Sequence, residues 1–487
     1  MGLFNKFKKG KKDAAQEELN ALESSLMDDL GDGIVGDVIH GGPVEPEEPE
    51  EDVIRGSFVL GILEVQPVQG TDNIVVRGNL KGNVETGMTV TLLNFGDDKR
   101  EADQTVIQGI DRDGENVVSA TDCEVSLALE DGAVKNIRVG TVLYTRDMGE
   151  NAVHDAYVSA LGDAYVRERV LDLSDDEIEK LSITDCSEIW RLNSWYTNHA
   201  GRDEDEEIKD DRKKRLDKII RALCDKIVNA DEIYYVHDKR TGEAHLFSQN
   251  VEAGDGAYIC TPPSILLVSK AYRRHYRKLY NNDNTELAVV RNGDDRKGIT
   301  NFLAGNFYIN GACGAAVNAV QVSISAGLLA EAPDHSGIPV ENIPVTNPDL
   351  VKWMLLIGQM NAPDMDDEEA ALDFRLYYRF MGAEMLKAKF IIPMKHDNEG
   401  NDLASGIAMM KGKGDKDAII MYTDWRRLRS EYGKEWDGMV HSIKGLIDKF
   451  DCAINPTRFP AAGSYITREM YDAMLKAAES EKKSDKG

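Results

Sequence analysis

The same arrangement of apolar runs occurs twice in the C-terminal part of the chain. ILLVSKAYRRHY (265–276) corresponds to IIMYTDWRRL (419–428), and GAAVNA (314–319) corresponds to DCAINP (451–456). In each copy an apolar strand precedes a helical segment, and a second short strand follows a further helix-like segment. A repeat of this kind predicts two related α/β units, because each copy supplies one complete supersecondary unit.

Polar residues end the repeated strands at matching positions. The first strand ends at Ser269 in one copy and at Thr423 in the other, where a hydroxyl can cap the following helix. The second strand ends at Asn318 or Asn455. For both asparagines we expect a side chain that bonds to the backbone of its own turn.

Ahead of the repeat the pattern is different. Over residues 54–145, short runs alternate apolar and polar positions, with glycine turns at about ten-residue spacing, which is typical of a small β-barrel. Helical spacing follows over 152–228. Mixed α/β patterning begins after residue 230 with the hairpin IYYVHDKRTGEAHLFS.

The sequence thus predicts a multidomain fold, α/β plus all-β, with a small β-barrel, a helical connector and two α/β units. The length of 487 residues suits about three or four globular units. The predicted segments are a disordered tail, basic and then acidic (1–52), the barrel (53–147), the connector (150–230), a first α/β unit (231–345), a second α/β unit with leading helices (348–478) and a disordered tail (479–487).

The charge of the chain limits its partners. A net charge of −28 disfavours binding to a phosphate backbone, so we expect protein partners and no DNA. Residues 13–52 contain fourteen acidic residues and no Lys or Arg. Residues 1–12 are basic, and at most they contact an anionic membrane peripherally; a solubilising leader of the kind bacterial proteins carry is the favoured alternative.

The cysteines indicate neither a zinc site nor a disulfide scaffold, because they lie far apart without a CxxC pair. We therefore expect reduced thiols, no metal and no cofactor. No apolar run reaches the roughly 18 residues that span a bilayer, and the N-terminus lacks the apolar core of a secretion signal, so the expected location is the cytoplasm. The six cysteines are Cys123, Cys186, Cys224, Cys260, Cys313 and Cys452.

GNLKGNVETGMTVTLL (78–93) lies within the barrel segment. Together with the closing run NIRVGTVLY it makes residues 56–145 resemble the second domain of elongation factor Tu and its relatives. In translation factors this barrel contacts the GTPase domain, ribosomal RNA or the end of a transfer RNA. Here no phosphate-binding GxxxxGK[ST] loop occurs, and residues 54–146 carry nine Arg and Lys against fourteen Asp and Glu. A barrel reused for protein docking or as a spacer is therefore favoured.

The C-terminal motifs AKFIIPM, AIIMYTDWRRLRSEY, FDCAINP and GSYITREMYDAML make residues 372–475 resemble the enhanced serine sensitivity family, SseB. Residues 233–335 resemble a diverged second copy, which lacks the proline that follows Asn455. The resemblance implies a fold and a regulatory or interaction role. It implies no reaction and no catalytic residues.

Two basic helices are the candidate binding elements. YRRHYRKLY (272–280) and WRRLRSEY (425–432) each begin with an aromatic residue and two arginines. Helical spacing places Tyr272, Tyr276 and Leu279, or Trp425, Leu428 and Tyr432, on the inward face and leaves the arginines outward. A solvated surface is the ordinary interpretation; recurrence in so acidic a chain indicates an acidic peptide as ligand, from a partner or from the chain's own EPEEPEED tail. The candidate residues are Arg273, Arg274, Arg426, Arg427 and Arg429.

Other candidates are weaker. His237 and His245 are equidistant from the hairpin turn and could face each other, but two ligands are too few for a metal site. Asp451 and Cys452 adjoin a strand end, yet Cys313 lies two residues earlier in its copy than Cys452 does, so a shared thiol nucleophile is not expected.

The sequence therefore predicts a non-enzymatic cytoplasmic adaptor or regulatory protein. Two alternatives stay open. One is a translation-associated ribosome or RNA binder that acts through the barrel. The other is an enzyme with an unrecognised site in the α/β units, which a pocket with converging titratable groups would favour.

Overall fold

The computed structural model describes residues 57–96, 103–130, 136–167, 173–252, 258–320, 323–360, 368–396, 404–412 and 416–484. Within them the chain combines a closed β-barrel, a group of helices and two α/β units. The predicted fold class, multidomain α/β plus all-β, is confirmed. The disordered tail and the membrane contact predicted for the N-terminal 52 residues lie outside the described residues.

Eight strands form the N-terminal sheet. They are β1 (Phe58–Pro67), β2 (Ile74–Glu85), β3 (Thr89–Asn94), β4 (Asp103–Arg112), β5 (Glu115–Val117), β6 (Ser119–Thr121), β7 (Glu124–Leu129) and β8 (Thr141–Tyr144). The order β1-β8-β3-β4-β7-β2 returns to β1 through the β1–β2 pairing and so closes a six-stranded barrel. Because side chains alternate between the two faces of a strand, the apolar residues of each strand point to the inside of the barrel. They form an apolar core that includes Phe58, Leu127 and Leu143.

Four helices follow the barrel: α1 (Glu150–Tyr165), α2 (Asp175–Lys180), α3 (Ile183–Asn198) and α4 (Glu206–Val228). Helix α1 lies so close to β1 that a Cβ on Gly61 would come within 2.3 Å of the Ala156 carbonyl oxygen. Helix α3 begins at a capping box of Ser182 and Asp185, and Asp185 also pairs with the barrel residue Arg138 at 2.9 Å. The connector and the barrel therefore pack together.

The first α/β unit contains β9 (Glu232–Asp238), β10 (Glu243–Ala244), β11 (Leu246–Phe247), β12 (Asn250–Glu252), β13 (Tyr258–Cys260), β14 (Ser264–Val268), α5 (Arg273–Tyr280), β15 (Thr285–Arg291), α6 (Gly298–Tyr308), β16 (Gly314–Val317), β17 (Ser323–Ser325) and α7 (Ala326–Leu329). Its sheet has the order β10-β9-β14-β16-β17, with β15 paired to β9. A short 3-10 turn, Lys270–Tyr272, precedes α5.

The second α/β unit contains α8 (Pro348–Gln359), α9 (Glu368–Met385), β18 (Phe390–His396), β19 (Ala404–Ile407), β20 (Met409–Lys411), β21 (Asp417–Met421), α10 (Trp425–Glu431), β22 (Trp436–His441), β23 (Asp451–Ile454), β24 (Ser464–Ile466) and α11 (Arg468–Ser484). Its strands form two sheets, β19-β18-β22 and β20-β21-β23-β24.

The repeat seen in the sequence is also present in the backbone. Strands β14 and β16 are parallel with Ile265 opposite Ala315, and strands β21 and β23 are parallel with Ile419 opposite Cys452. The sequence repeat matches these same pairs. In both units the second strand then pairs antiparallel with a short strand, β17 or β24. The two units therefore share the register of their central strands.

A continuous apolar core links the regions of the molecule. It contains Val59 of the barrel, Leu223 of α4, Ile265 of the first α/β unit and Leu355 of the second. Polar contacts add to it where the β9–β10 turn meets the end of α8, since Arg240 donates to the carbonyl oxygens of Gln359 and of Met360, the residue after the helix. The two α/β units and the helices thus pack as neighbours in one assembly.

The C-terminal tail predicted from residue 479 is wrong in part. Helix α11 continues to Ser484, and only residues 485–487 lie outside the described chain at this end. The run KAAESEKK explains the extension, because Ala, Glu and Lys are strong helix formers. None of the described helices combines the length and apolar character needed to cross a bilayer.

Candidate functional site

The strand-end asparagines have the same backbone role in both units. Asn318 and Asn455 have positive φ, +58° and +47°, a left-handed conformation that asparagine tolerates. The Oδ1 of Asn318 accepts from the N–H of Ser269 at 2.8 Å, and the Oδ1 of Asn455 accepts from the N–H of Thr423 at 3.0 Å. The prediction that each side chain bonds within its own turn is wrong, since each reaches the end of the neighbouring strand.

In the first unit this strand end is bonded to helix α3. The Nδ2 of Asn318 donates to the Oγ of Ser187 at 2.9 Å. The Ser269 hydroxyl lies 2.8 Å from the hydroxyl of Thr184. Ser269 therefore does not cap the following helix as predicted, because its hydroxyl is engaged with α3.

In the second unit the equivalent groups bond to each other. The Nδ2 of Asn455 donates to the Oγ1 of Thr423 at 3.0 Å, and that hydroxyl donates to Asp424 at 2.8 Å. Asp424 is the residue that caps α10, accepting from the N–H of Arg427 at 2.9 Å. Helix capping thus falls to the residue after the predicted Thr423.

Arg427 lies inside the molecule, which contradicts the prediction that it points outward. Its side chain is only 6 % exposed and donates to Asp424 at 2.6 Å, to Glu243 at 3.0 Å and to Asn310 at 2.8 Å. Glu243 and Asn310 belong to the first unit. Arg427 therefore ties the two units together through buried charge-assisted bonds.

The other two arginines of α10 also bind within the chain. Arg426, whose side chain is 42 % exposed, uses Nη2 to reach Glu243 at 2.5 Å and Asn310 at 2.7 Å. Arg429 donates to the carbonyl oxygens of Gly433 and Trp436 at 2.9 and 2.6 Å. Its guanidinium also lies 5.1 Å from the Trp425 ring centre. Binding an acidic peptide here would compete with these contacts.

Burial and pairing act together on Asp424. Burial alone raises the pKa of its carboxyl, but the charge of Arg427 and hydrogen bonds from Arg427 and Thr423 outweigh this and lower the pKa below its ordinary value. The carboxylate therefore stays ionised within the interface.

Helix α5 of the first unit has a different surface. Arg274, Arg277 and Lys278 are exposed, and no ion pair holds them within the described residues. Their spacing of i, i+3 and i+4 places them on one helix face. Arg273 is half-buried instead, near the Tyr234 hydroxyl at 3.5 Å. Arg274 is a predicted binding residue, whereas Arg277 and Lys278, which complete this face, are not among the residues predicted from the sequence.

The inward face of α5 also differs from the prediction. Leu279 was expected inside but is 44 % exposed. Tyr280 packs in its place, stacked on the buried Tyr276 with ring centres 6.0 Å apart. The packed residues Tyr276 and Tyr280 are four positions apart, so the inward face follows i, i+4 spacing, whereas the prediction used the i, i+3 position of Leu279.

A cavity of about 430 Å³ lies where the two units meet. Helix α6 forms one wall, the residues after the β9–β10 turn form another, and Arg426 of the second unit closes the third. The rings of Tyr235 and Phe302, with centres 4.5 Å apart, lie along it. Glu243 lines it as well, so the cavity adjoins the arginine network.

The two histidines of the hairpin do not face each other. His245 lies 3.3 Å from Asp238, and with Phe247 it lies on the face opposite to His237, whose ring contacts Tyr235. Burial raises the pKa of Asp238, but hydrogen bonds from His245 and Arg240 outweigh it and lower the pKa well below its ordinary value. In the described part of the chain no three potential ligands gather into a metal site.

Cys452 is fully buried in the core of the second unit, where burial raises the pKa of its thiol to about 12. Asp451 accepts from the Tyr465 hydroxyl at 2.8 Å. Ala315 occupies the position in the first unit that Cys452 occupies in the second, and Cys313 is exposed. The thiols of the two units therefore have unrelated surroundings.

No family model and no curated protein matches the chain. Among solved structures, translation elongation factor SelB from Methanococcus maripaludis in its apo form is 24 % identical over 20 % of this chain and 21 % of that one, with a TM-score of 0.17. Sup35 in complex with GDP is 17 % identical over 19 % of this chain and 21 % of that one, with a TM-score of 0.16. This chain therefore spans about a fifth of each relative's length, and likeness of this extent carries no argument about function.

Proposed function

We propose that the chain is a non-enzymatic adaptor that binds acidic segments of partner proteins through helix α5 of its first α/β unit. The observation that carries the proposal is the exposed face formed by Arg274, Arg277 and Lys278. Membership of the SseB family and a cytoplasmic location belong to the same proposal, and both stand on the sequence alone.

The contrast with helix α10 supports the choice of α5. The arginines of α10 form contacts inside the chain, so an incoming carboxylate would have to displace them. The face of α5 offers three cations at neighbouring positions without a counter-ion among the described residues. Carboxylates of a partner can therefore form charge-assisted bonds there without breaking existing ones.

The charge of the whole chain favours a short acidic peptide over a nucleic acid. A net charge of −28 repels a long polyanion, whereas a peptide can place a few carboxylates on one helix face and keep the rest of its length distant. The ribosome-binding and enzymatic alternatives stay predictions.

A labelled deca-glutamate peptide tests the proposal with the full chain. Its binding, followed by fluorescence anisotropy at low ionic strength, should weaken by roughly tenfold in the triple variant Arg274→Glu, Arg277→Glu, Lys278→Glu, and should weaken for the wild type as salt is added. The matched control reverses three exposed cations of α4, Lys213→Glu, Lys214→Glu and Arg221→Glu, which changes the net charge equally.

Equal weakening in both triple variants would contradict the proposal, because binding would then follow total charge. A chain that lacks residues 1–52 separates the two sources of acidic ligand. If the chain's own tail occupies α5, this deletion should tighten peptide binding several-fold by removing a tethered competitor. If only partners bind there, the deletion should leave the affinity unchanged.

A further inference from the structure

We propose that the cavity between the two α/β units binds a small organic monocarboxylate with a flat apolar body. This inference concerns a site separate from α5 and does not depend on the adaptor proposal. The cavity volume, about 430 Å³, lies in the range that small-molecule sites occupy, and junctions between domains are common places for such sites.

Arg426 supplies the anion-binding group. Its Nη2 is bound to Glu243 and Asn310, and among the described residues its Nη1 and Nε have no hydrogen-bond partner. The half-exposed guanidinium lines the cavity. A carboxylate entering the cavity can therefore accept from Arg426 without displacing the bonds that join the units.

The surrounding charges favour a single negative charge. Arg426 and Arg427 are already balanced by Glu243 and Asp424 in the same network. Glu243 is fully engaged, because its Oε1 accepts from both arginines and its Oε2 accepts from Asn310 at 2.9 Å. The carboxylate of Glu243 would repel a polyanion such as a nucleotide, and the described residues that line the cavity offer too few free hydrogen-bond donors to offset this repulsion. A single carboxylate needs only the guanidinium of Arg426.

The apolar walls favour a planar body. Tyr235 and Phe302 present their rings along the cavity, and Pro333 and Ala304 add apolar surface. Aromatic rings contribute offset or edge contacts with a flat ligand. The ligand would thus have its carboxylate at Arg426 and its ring near Phe302.

Gly305 gives independent support for an open space beside Arg426. It lies inside helix α6, where a glycine destabilises the helix by about 1 kcal/mol relative to alanine. Packing does not require it, because a Cβ at Gly305 would meet only the Nη1 of Arg426, at 3.8 Å. At Gly298 of the same helix, by contrast, a Cβ would come within 2.0 Å of a carbonyl oxygen. The glycine at 305 therefore leaves room over the guanidinium.

Benzoate and its neutral analogue benzamide are the probes. With the full chain, saturation-transfer NMR and the shift of the melting temperature should show saturable benzoate binding at roughly 1 mM, a reasonable affinity for a ligand of this size, and at least tenfold weaker binding of benzamide. Binding should raise the melting temperature, since the ligand binds the folded protein and not the unfolded chain.

Two variants locate the site. Gly305→Leu adds a side chain beside the guanidinium, at a position where a Cβ meets only the Nη1 of Arg426, and removes a helix-destabilising glycine, so the protein should fold while benzoate binding falls at least tenfold. Gly327→Leu is the matched control, because a Cβ there meets nothing within 4 Å and Gly327 does not line the cavity. Arg426→Gln should remove the preference for benzoate over benzamide.

Three results would overturn the proposal: equal affinity for benzoate and benzamide in the wild type, unchanged benzoate binding in Gly305→Leu, or no saturable binding up to roughly 30 mM, a limit well above the expected affinity. The first would exclude recognition of the carboxylate. The second would place the ligand elsewhere, and the third would show that the cavity takes no ligand of this class.

Discussion

The two α/β units have the same pair of central strands, but the ends of these strands bond to different parts of the molecule. Each unit holds a left-handed asparagine whose Oδ1 bonds to the end of the neighbouring strand. In the first unit the Nδ2 of that asparagine binds Ser187 of helix α3, whereas in the second it binds Thr423 of the same unit. The bond from the asparagine Oδ1 to the neighbouring strand end thus occurs in both units. The partner of its Nδ2 differs, and it lies in helix α3 for the first unit and within the same unit for the second.

The arginine helices differ in the same way. Helix α10 uses Arg426 and Arg427 to hold the first unit through Glu243, whereas helix α5 leaves its outer cations without an ion pair among the described residues. One copy of the repeated helix therefore maintains the architecture. The other copy keeps an exposed cationic face.

Loss of Arg427 should have the largest effect on stability. Arg427→Met removes the cation from a buried network and leaves Asp424 and Glu243 without it, which should lower the free energy of unfolding by about 3–5 kcal/mol. The exposed counterpart Arg274→Met should change it by less than about 0.5 kcal/mol. Urea unfolding of both variants measures the difference. Similar midpoints would mean that the two helices do not differ as described.

Replacement of the strand-end asparagines should have the next largest effect. Asn318→Gly and Asn455→Gly keep the positive φ but remove the side-chain bonds, so each should lower the free energy of unfolding by about 1–2 kcal/mol. Hydrogen exchange distinguishes the units. Helix α3 should exchange faster in Asn318→Gly only, because it loses there the bond that Asn318 donates to Ser187. Equal protection of α3 in both variants would contradict the assignment.

The architecture shared by the two α/β units could be predicted from the sequence. Local periodicity and the matched motifs were enough for the two units and the barrel, because apolar spacing and turn residues can be read within each segment. The matched motifs also predict Asn318 and Asn455 at equivalent strand ends. Their bonding partners could not be predicted, since Ser187 lies 131 residues from Asn318 along the chain.

The surroundings of the arginines could not be predicted either, because they too depend on residues far away in the sequence. Helical spacing alone places Arg427 outward. In the structure Arg427 is buried between the two α/β units, where it binds Glu243, a residue 184 positions earlier in the chain. Helical spacing alone does not distinguish Leu279 from Tyr280 as the residue that packs beside Tyr276, because both lie within one turn of it. Glu243, the acidic residue that begins β10 directly after the hairpin turn, is a signal that could have indicated a partner for the arginines.

Acid should destabilise the second unit through Asp424, the buried carboxylate that caps helix α10. Pairing lowers the pKa of Asp424, so its contribution to stability is complete above the ordinary aspartate pKa of about 4 and is lost as the pH falls through the lower folded value. The stability difference between the wild type and Asp424→Asn should therefore shrink from about pH 6 to about pH 3. Asp417→Asn is the control for the loss of one exposed carboxylate in the same unit. A difference that is constant with pH would contradict the assignment.

Replacement of Arg429, the third arginine of helix α10, should have the smallest effect on the free energy of unfolding. Its bonds to two carbonyl oxygens and its contact with the Trp425 ring are exposed, so Arg429→Gln should lower the free energy of unfolding by roughly 0.5–1 kcal/mol. Arg277→Gln on α5 should change it by about zero, because no partner among the described residues is lost. Urea midpoints should then fall in the order Arg277→Gln, Arg429→Gln, Arg427→Met. If Arg277→Gln proved as destabilising as Arg429→Gln, the outer face of α5 would be part of the fold, and it would not be available to an acidic partner.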